Sequence, residues 1–215
     1  MIRNEYFRVF PEAIPSGFVD KIIAIGDQQK PSLARVNSVA GLSVVDKEYR
    51  YCNIARLANE PDLDWLYIKL WELLDEVNKK NWKFNIEKMS LVEYLTYLEG
   101  HNINWHRDTL PLTARKRNKD PSIDKLISLS LQLSDHDEYE GGNFQFSNDM
   151  GLKEGKFPVI NELAENSELA QQLRKKGSIV VFPSVLMHRV TKVTKGARKV
   201  LVAWAGGNSV ENLDV

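Results

Sequence analysis

His106, Asp108 and His188, followed ten residues later by Arg198, are the side chains of this chain whose types and spacing suggest chemistry. Two imidazoles and one carboxylate form the facial set that holds a non-haem iron and leaves coordination positions open. Open positions mark a reacting site, because a structural metal is usually enclosed by protein donors. Side chains alternate faces along a strand, so His106 and Asp108, one residue apart, would point the same way and could reach one ion together. The guanidinium of Arg198 stays charged and can grip a carboxylate with two prongs, where a lysine would offer only a point charge. His101 and His136 have no such partners in sequence and read as ordinary structural histidines.

Positioning four such groups takes a scaffold, and the hydrophobic pattern describes one. Pro15-Ser16 can start a helix whose apolar positions Phe18, Val19, Ile22, Ile23 and Ile25 continue to about Gln29. A second helix is expected from Pro61 to about Lys80, with Leu63, Leu66, Leu70, Leu73, Leu74 and Val77 on one stripe. Between them, Leu33 to Leu57 reads as short strands and turns. From Phe84 the period changes to two, with strand-like runs at Ser90 to Leu98, Leu126 to Leu133, Asn143 to Phe146, Gly177 to Phe182, His188 to Thr194 and Lys199 to Ala205. Two polar stretches interrupt them: Thr109 to Lys125, read as a solvated loop, and Asn148 to Lys176, with a helix expected around Glu162 to Lys175. Either could serve as a lid. Helices first and many short strands after predict an α+β domain with helices packed on a sheet or open barrel.

The blocks around the four residues resemble the iron(II)/2-oxoglutarate dioxygenases, in particular the prolyl 4-hydroxylase-like branch. The resemblance runs through Tyr97-x-x-Gly100 into His106-x-Asp108, then Tyr139-Glu140-Gly141-Gly142-Asn143-Phe144, Gly177 to Ser184, His188 to Thr191, and Gly196-Ala197-Arg198. It implies a double-stranded β-helix, a jelly-roll-like barrel core over about 90–207, buttressed by helices and flanking strands over about 1–89, in a single domain spanning 1–215. It implies that His106, Asp108 and His188 are the metal ligands and catalytic centre, and that Arg198, Tyr97 and Gln132 bind the co-substrate. Gln132 would do so from the polar face of Leu126 to Leu133, which also carries Ser128 and Ser130. Gly141 and Gly142 read as structural. The chain departs from the pattern at Val200, where relatives often carry a serine beside the arginine. The same sequence leaves the hairpin open: a turn near Val193 would bring His188 opposite Arg198, while Gly196 invites a later one.

The implied cofactors are iron(II), 2-oxoglutarate and dioxygen, with ascorbate as a candidate reductant. The implied reaction turns 2-oxoglutarate into succinate and carbon dioxide while hydroxylating a C–H bond, the favoured target being a prolyl side chain of a peptide or protein. Two alternatives stay open: a hydroxylase of a free amino acid or other small metabolite, and a non-catalytic jelly-roll binding module. A nucleic-acid demethylase of the superfamily would carry a further arginine, and Leu201 to Gly207 has none. Twenty-nine basic and twenty-nine acidic side chains cancel, so no global field draws the chain to nucleic acid or an anionic membrane. The lone Cys52 forms no internal disulfide, and the opening residues lack a secretion pattern, which together predict a cytoplasmic protein. The ligand set alone also accepts manganese, cobalt or nickel.

Overall fold

Within the residues that the computed structural model describes, 2–3, 6–37, 43–109, 124–147 and 168–207, the two apolar stripes of the N-terminal half form helices. The first, α1, spans Ser16–Gln28 and the second, α2, spans Asp64–Asn81. Pro15 starts α1, its carbonyl accepting from the Phe18 and Val19 N–H groups; a proline fits there because a helix start has no use for its missing N–H. A short 3-10 turn, Pro61–Leu63, leads into α2. Beyond α2 the chain reverses with Lys83 at φ 58°. The buried Asn78 side chain clamps this reversal: it accepts from the Phe84 N–H and donates to the Phe84 carbonyl, both at 2.8 Å. Of the helix expected around Glu162 to Lys175, Glu168–Arg174 is present as α3. The basic stretch 110–123 and residues 148–167, on which the lid expectation falls, lie outside the described residues. Among the described residues no helix is long and apolar enough to cross a membrane.

The strands that carry the site are β1 (Arg8–Phe10), β2 (Asn53–Leu57), β3 (Val92–Tyr97), β4 (Asn102–His106), β5 (Asp124–Gln132), β6 (Phe144–Phe146), β7 (Ile179–Pro183), β8 (His188–Val190) and β9 (Arg198–Gly207). They form two antiparallel sheets. The larger runs β1, β7, β5, β9, β3, β2, with Ile2–Arg3 and Ser32–Leu33 at its edges and Lys88–Met89 beside β9. The smaller runs β6, β8, β4 and then Arg50–Tyr51. Their inner faces meet through Leu95, Tyr97 and Val200 on one side and Ile103 and Val190 on the other. This is the double-stranded β-helix, with the sheets not closed on each other.

The alternation of β5 explains the layers. Ile127, Leu129 and Leu131 point outward, where with Val181, Leu201 and Ala203 they meet Val19 and Ile22 of α1 and Leu66, Leu70 and Leu74 of α2. Burying each such aliphatic side chain contributes roughly 1.5–3 kcal/mol. Ser128 and Ser130 point inward and line a cavity between the sheets, together with Val200, Val202 and Trp204 of β9. The polar face expected from the Leu126 to Leu133 pattern therefore turns toward the interior, and its apolar face is the floor on which the helices pack.

The run His188 to Thr194 is not one strand. β8 stops at Val190, and Val193–Gly196 pairs instead with Tyr139–Gly141. The chain then turns at Gly196, φ 75°, into β9. Val193 is wholly buried and β-branched, so the reversal falls on the glycine, which tolerates left-handed backbone. As a result His188 lies opposite His106 and Phe146 in the small sheet, while Arg198 lies opposite Tyr97 in the large one. The alternative that set His188 opposite Arg198 in one hairpin is thereby corrected. Gly141 and Gly142 both adopt positive φ where the chain meets Lys192 and Val193, a structural use as expected.

Helix α1 sits close on β3 at Gly26, where an added Cβ would come within 2.5 Å of the Tyr94 ring. The same ring donates its hydroxyl proton to Asp27 at 2.7 Å, and Asp27 also pairs with Lys199 at 2.7 Å. Gly26→Ala is therefore expected to lose about 1–3 kcal/mol by overpacking, more than the helix gains from alanine. Urea denaturation would measure this; an unchanged midpoint would mean that α1 is not docked through this contact.

Candidate active site

His106 is the last residue of β4, and Asp108 follows it outside the strand, in a bend. The expectation that both project from one strand is thus replaced by a different device. The Asp108 and Thr109 N–H groups donate to the Ser184 carbonyl at 3.0 and 3.3 Å, and this tether to the end of β7 sets the carboxylate. His188, the first residue of β8, faces it across the small sheet. His106 Nε2 lies 3.7 Å from Asp108 Oδ1, and His188 Nε2 lies 3.6 Å from Asp108 Oδ2. One donor atom from each residue fits within 4.8 Å of the others, a spacing that a single metal ion could bridge.

Each imidazole is oriented by the same local contact. His106 Nδ1 meets the Asn104 carbonyl and His188 Nδ1 the Leu186 carbonyl, both at 2.9 Å. A carbonyl can only accept, so Nδ1 carries the proton and Nε2 keeps its lone pair toward the metal position. The rings of Phe144 and Phe182, at 5.5 and 4.8 Å between centroids, wall in His188. Burial, and then the neighbouring His188, push the His106 pKa down to about 4, so that ring is a neutral ligand at neutral pH. For Asp108 burial works upward, but His188, His106, Lys125 and the Ser128 hydroxyl outweigh it and hold the carboxyl at about 2.

The Asp108 carboxylate has a support that the spacing of ligands did not reveal. Ser128 of β5 donates to Asp108 Oδ2 at 2.7 Å, and its Oγ also lies 2.8 Å from Ser184 Oγ. The signal available in the sequence was the inward polar face of β5; what it could not give was which residue, 20 positions away, that face would meet. Outer partners of metal ligands typically contribute 10–100-fold in affinity. Ser128→Ala is expected to weaken metal binding about ten-fold with the fold retained, read by manganese(II) titration followed by electron paramagnetic resonance. An unchanged affinity would remove Ser128 from the site.

Farther along the large sheet from Ser128 and its neighbour Trp204, Arg198 opens β9 in a buried position. Its Nε donates to Gln132 Oε1 at 3.1 Å, and Gln132 Nε2 is itself held by the Ser134 carbonyl at 2.8 Å and the Tyr139 hydroxyl at 3.2 Å. Gln132 does not line the cavity; it stands behind Arg198 and orients it, in place of the direct ligand contact expected of it. Tyr97 does line the cavity, buried, with the guanidinium 5.6 Å from its ring centroid. Burial pushes the Tyr97 phenol well above its ordinary pKa, so its hydroxyl remains a donor. Val200 lies on the cavity wall opposite Gln132, and the nearest inward hydroxyl of β5, Ser130, stands one pair farther along, opposite Val202.

Arg198 Nη1 is fully buried with no hydrogen-bond partner. A buried charged donor left unpaired costs several kcal/mol unless a ligand completes it. Arg198 lines the same cavity, about 690 Å³ in volume, as His106, Asp108 and His188. The space between the triad and Arg198 thus suits a short dianion with one end on a metal and the other on a guanidinium. His101, its ring tilted against that of Tyr51 with centroids 4.0 Å apart, and His136, exposed beside Asp135, stand outside this arrangement.

The model of the 2OG-Fe(II) oxygenase superfamily matches residues 90–206, a little over half of the chain. A PKHD-type hydroxylase of Xanthomonas axonopodis pv. citri (strain 306) is 28% identical over 109 residues, which is 51% of this chain and 40% of the relative. The chain therefore spans well under half the length of that curated relative. Among solved structures, a Pseudomonas putida prolyl-4-hydroxylase superposes with a TM-score of 0.63 at 16% identity, covering 94% of this chain and 92% of that one. A Trichoplax adhaerens prolyl hydroxylase in complex with a hypoxia inducible factor peptide fragment gives 0.61 at 12% identity, covering 94% and 84%. HygX of Streptomyces hygroscopicus, with nickel, 2-oxoglutarate and hygromycin B bound, gives 0.58 at 18% identity, covering 96% and 84%.

Proposed function

Because the chain belongs to the 2OG-Fe(II) oxygenase superfamily, we propose that it is a dioxygenase that hydroxylates a peptide or protein side chain, with a prolyl residue as the first target. The observation that carries the reading is the buried Arg198 Nη1, left without a partner on a residue that lines the same cavity as His106, Asp108 and His188. Iron(II) with 2-oxoglutarate and dioxygen supplies the oxidising chemistry, releasing succinate and carbon dioxide. The residues of the chain do the rest. His106, Asp108 and His188 would hold the ion from one side, their free lone pairs fixed by the contacts to Asn104, Leu186 and Ser128. Arg198, set by Gln132, would take the far carboxylate of 2-oxoglutarate, with Tyr97 as a donor beside it. Phe144 and Phe182 keep water from the His188 side, which strengthens every charge interaction within.

Support for a peptide target comes from the prolyl hydroxylases that share the fold, one of them solved with a peptide. The small-molecule alternative keeps a place because HygX, solved with hygromycin B, also shares the fold. The deciding experiment supplies iron(II) and 2-oxoglutarate with a pool of proline-containing peptides and, separately, with free amino acids. Succinate is quantified and each pool is searched by mass spectrometry for added oxygen. Oxygenated peptide is the expected product; oxygen found only on free amino acids would hand the function to the alternative.

A further inference from the structure

The cavity holds charges that neither metal nor co-substrate would use. Setting aside Asp108 and Arg198, the described residues leave Arg50, Arg107 and Lys125 on its wall against Asp46 and Glu93. Glu93 is already matched, 3.6 Å from both Arg50 and Arg56. Asp46 faces its own turn, accepting from the Glu48 and Tyr49 N–H groups at 3.0 Å. Arg107 donates to the Val185 carbonyl at 2.9 Å. Lys125 is different. Its ammonium stands 3.3 Å from the centroid of the Trp204 ring and has no hydrogen bond or ion pair with any described residue. Arg50 Nε is buried in the same wall without a partner. Ladder register places Trp204 directly beside Ser128, so Lys125 stands on the metal side of the cavity, away from Arg198.

An ammonium stacked on an indole and a guanidinium with an unused donor both gain from a desolvated anion, and the charge left over after Glu93 and Asp46 is positive. We propose that Lys125 and Arg50 form an anion-binding subsite of the substrate compartment, so that the substrate carries a carboxylate close to the C–H bond that is oxidised. This rests on the oxygenase reading above and narrows it: within a peptide the carboxylate is an acidic side chain flanking the target, and within a free amino acid it is the α-carboxylate. Burial draws the Lys125 pKa down by more than the nearby charges of Asp108 and Glu93 raise it.

The test uses acetate as the smallest carboxylate probe, added under anaerobic conditions to protein loaded with iron(II) and 2-oxoglutarate. Relaxation of the acetate methyl protons reports approach to the paramagnetic ion, and the iron(II)–2-oxoglutarate absorption of every sample reports how much site is filled. Saturable enhancement is expected in the wild type, with half-saturation raised roughly ten-fold in Lys125→Met and largely restored in Lys125→Arg. Equal half-saturation in wild type and Lys125→Met, or no enhancement in wild type that shows the absorption, overturns the subsite. Missing absorption sinks the co-substrate reading instead; the same variants are then compared with manganese(II) alone, where the same two outcomes decide. Repeating the titration with N-acetyl-Pro-Asp-amide, its Asn counterpart and free L-proline separates the sources. Tighter binding of the Asp peptide than of its Asn counterpart assigns the anion to a peptide side chain, and preference for free proline assigns it to an α-carboxylate.

Discussion

Replacing Asp108 with alanine is expected to abolish turnover and tight iron binding while the protein stays folded. The carboxylate sits between the two imidazoles at 3.6 and 3.7 Å and accepts from Ser128, while the Asp108 backbone N–H donates to the Ser184 carbonyl. Its loss should exceed the roughly 10–100-fold that removal of an outer partner costs, because a donor and the only negative charge of the set vanish together. The sign on stability is also fixed: the metal-free variant should melt no lower than the metal-free wild type, and the rise in melting temperature that metal gives the wild type should disappear. Calorimetry with and without manganese(II), beside a succinate assay, measures both. Retained activity in Asp108→Ala would refute the site. His188→Ala is a poorer probe, because His188 is packed among Phe144 and Phe182 and its removal also opens a cavity.

Arg198→Gln is expected to raise the 2-oxoglutarate requirement on the order of 100-fold, about 3 kcal/mol, the usual cost of leaving one member of a buried charge pair unmatched. The metal affinity without co-substrate should change little, since Arg198 touches none of the three metal donors. Arg198→Lys should recover only part of the loss: the ammonium keeps the charge but gives up both the fork and the Nε contact to Gln132. Anaerobic titration of 2-oxoglutarate against the iron(II)-loaded protein, followed by its visible absorption, reads the affinity directly. A shift smaller than about five-fold would mean that the orphaned Nη1 is completed by some other group.

The helices and the triad were legible in the sequence for different reasons. α2 was readable because its apolar stripe repeats at helical spacing over five turns, and nothing distant is needed to interpret it. His106 and Asp108 were readable as a pair because they are neighbours, yet the reason given was incomplete: β4 ends at His106, and the Ser184 carbonyl, far along the chain, sets Asp108. The hairpin between His188 and Arg198 stayed open because both candidate turns were chemically sensible, and only the burial of Val193 and the pairing with Tyr139–Gly141 decide between them. Gln132 was placed on the right face of β5, but a polar face does not say whether a side chain meets a ligand or steadies another residue. Lys125 and Arg50 carried no local signal at all. A lysine at the end of a basic stretch looks solvated until Trp204 is brought beneath it.

The alternation along β5 and β9 has an evolutionary consequence. Past the irregularity at Lys125, the odd-numbered positions Ile127 to Leu131 of β5 and Leu201 to Ala205 of β9 answer to the helices, and a change there is felt as lost stability. Their even-numbered neighbours between Ser128 and Trp204 answer to whatever occupies the cavity. Mutations that alter which ligand the cavity accepts can therefore accumulate at a position such as Ser130 with little draw on the fold's slender margin of stability. Selection on target choice and selection on folding act on separate sets of residues, interleaved one by one in the same two strands.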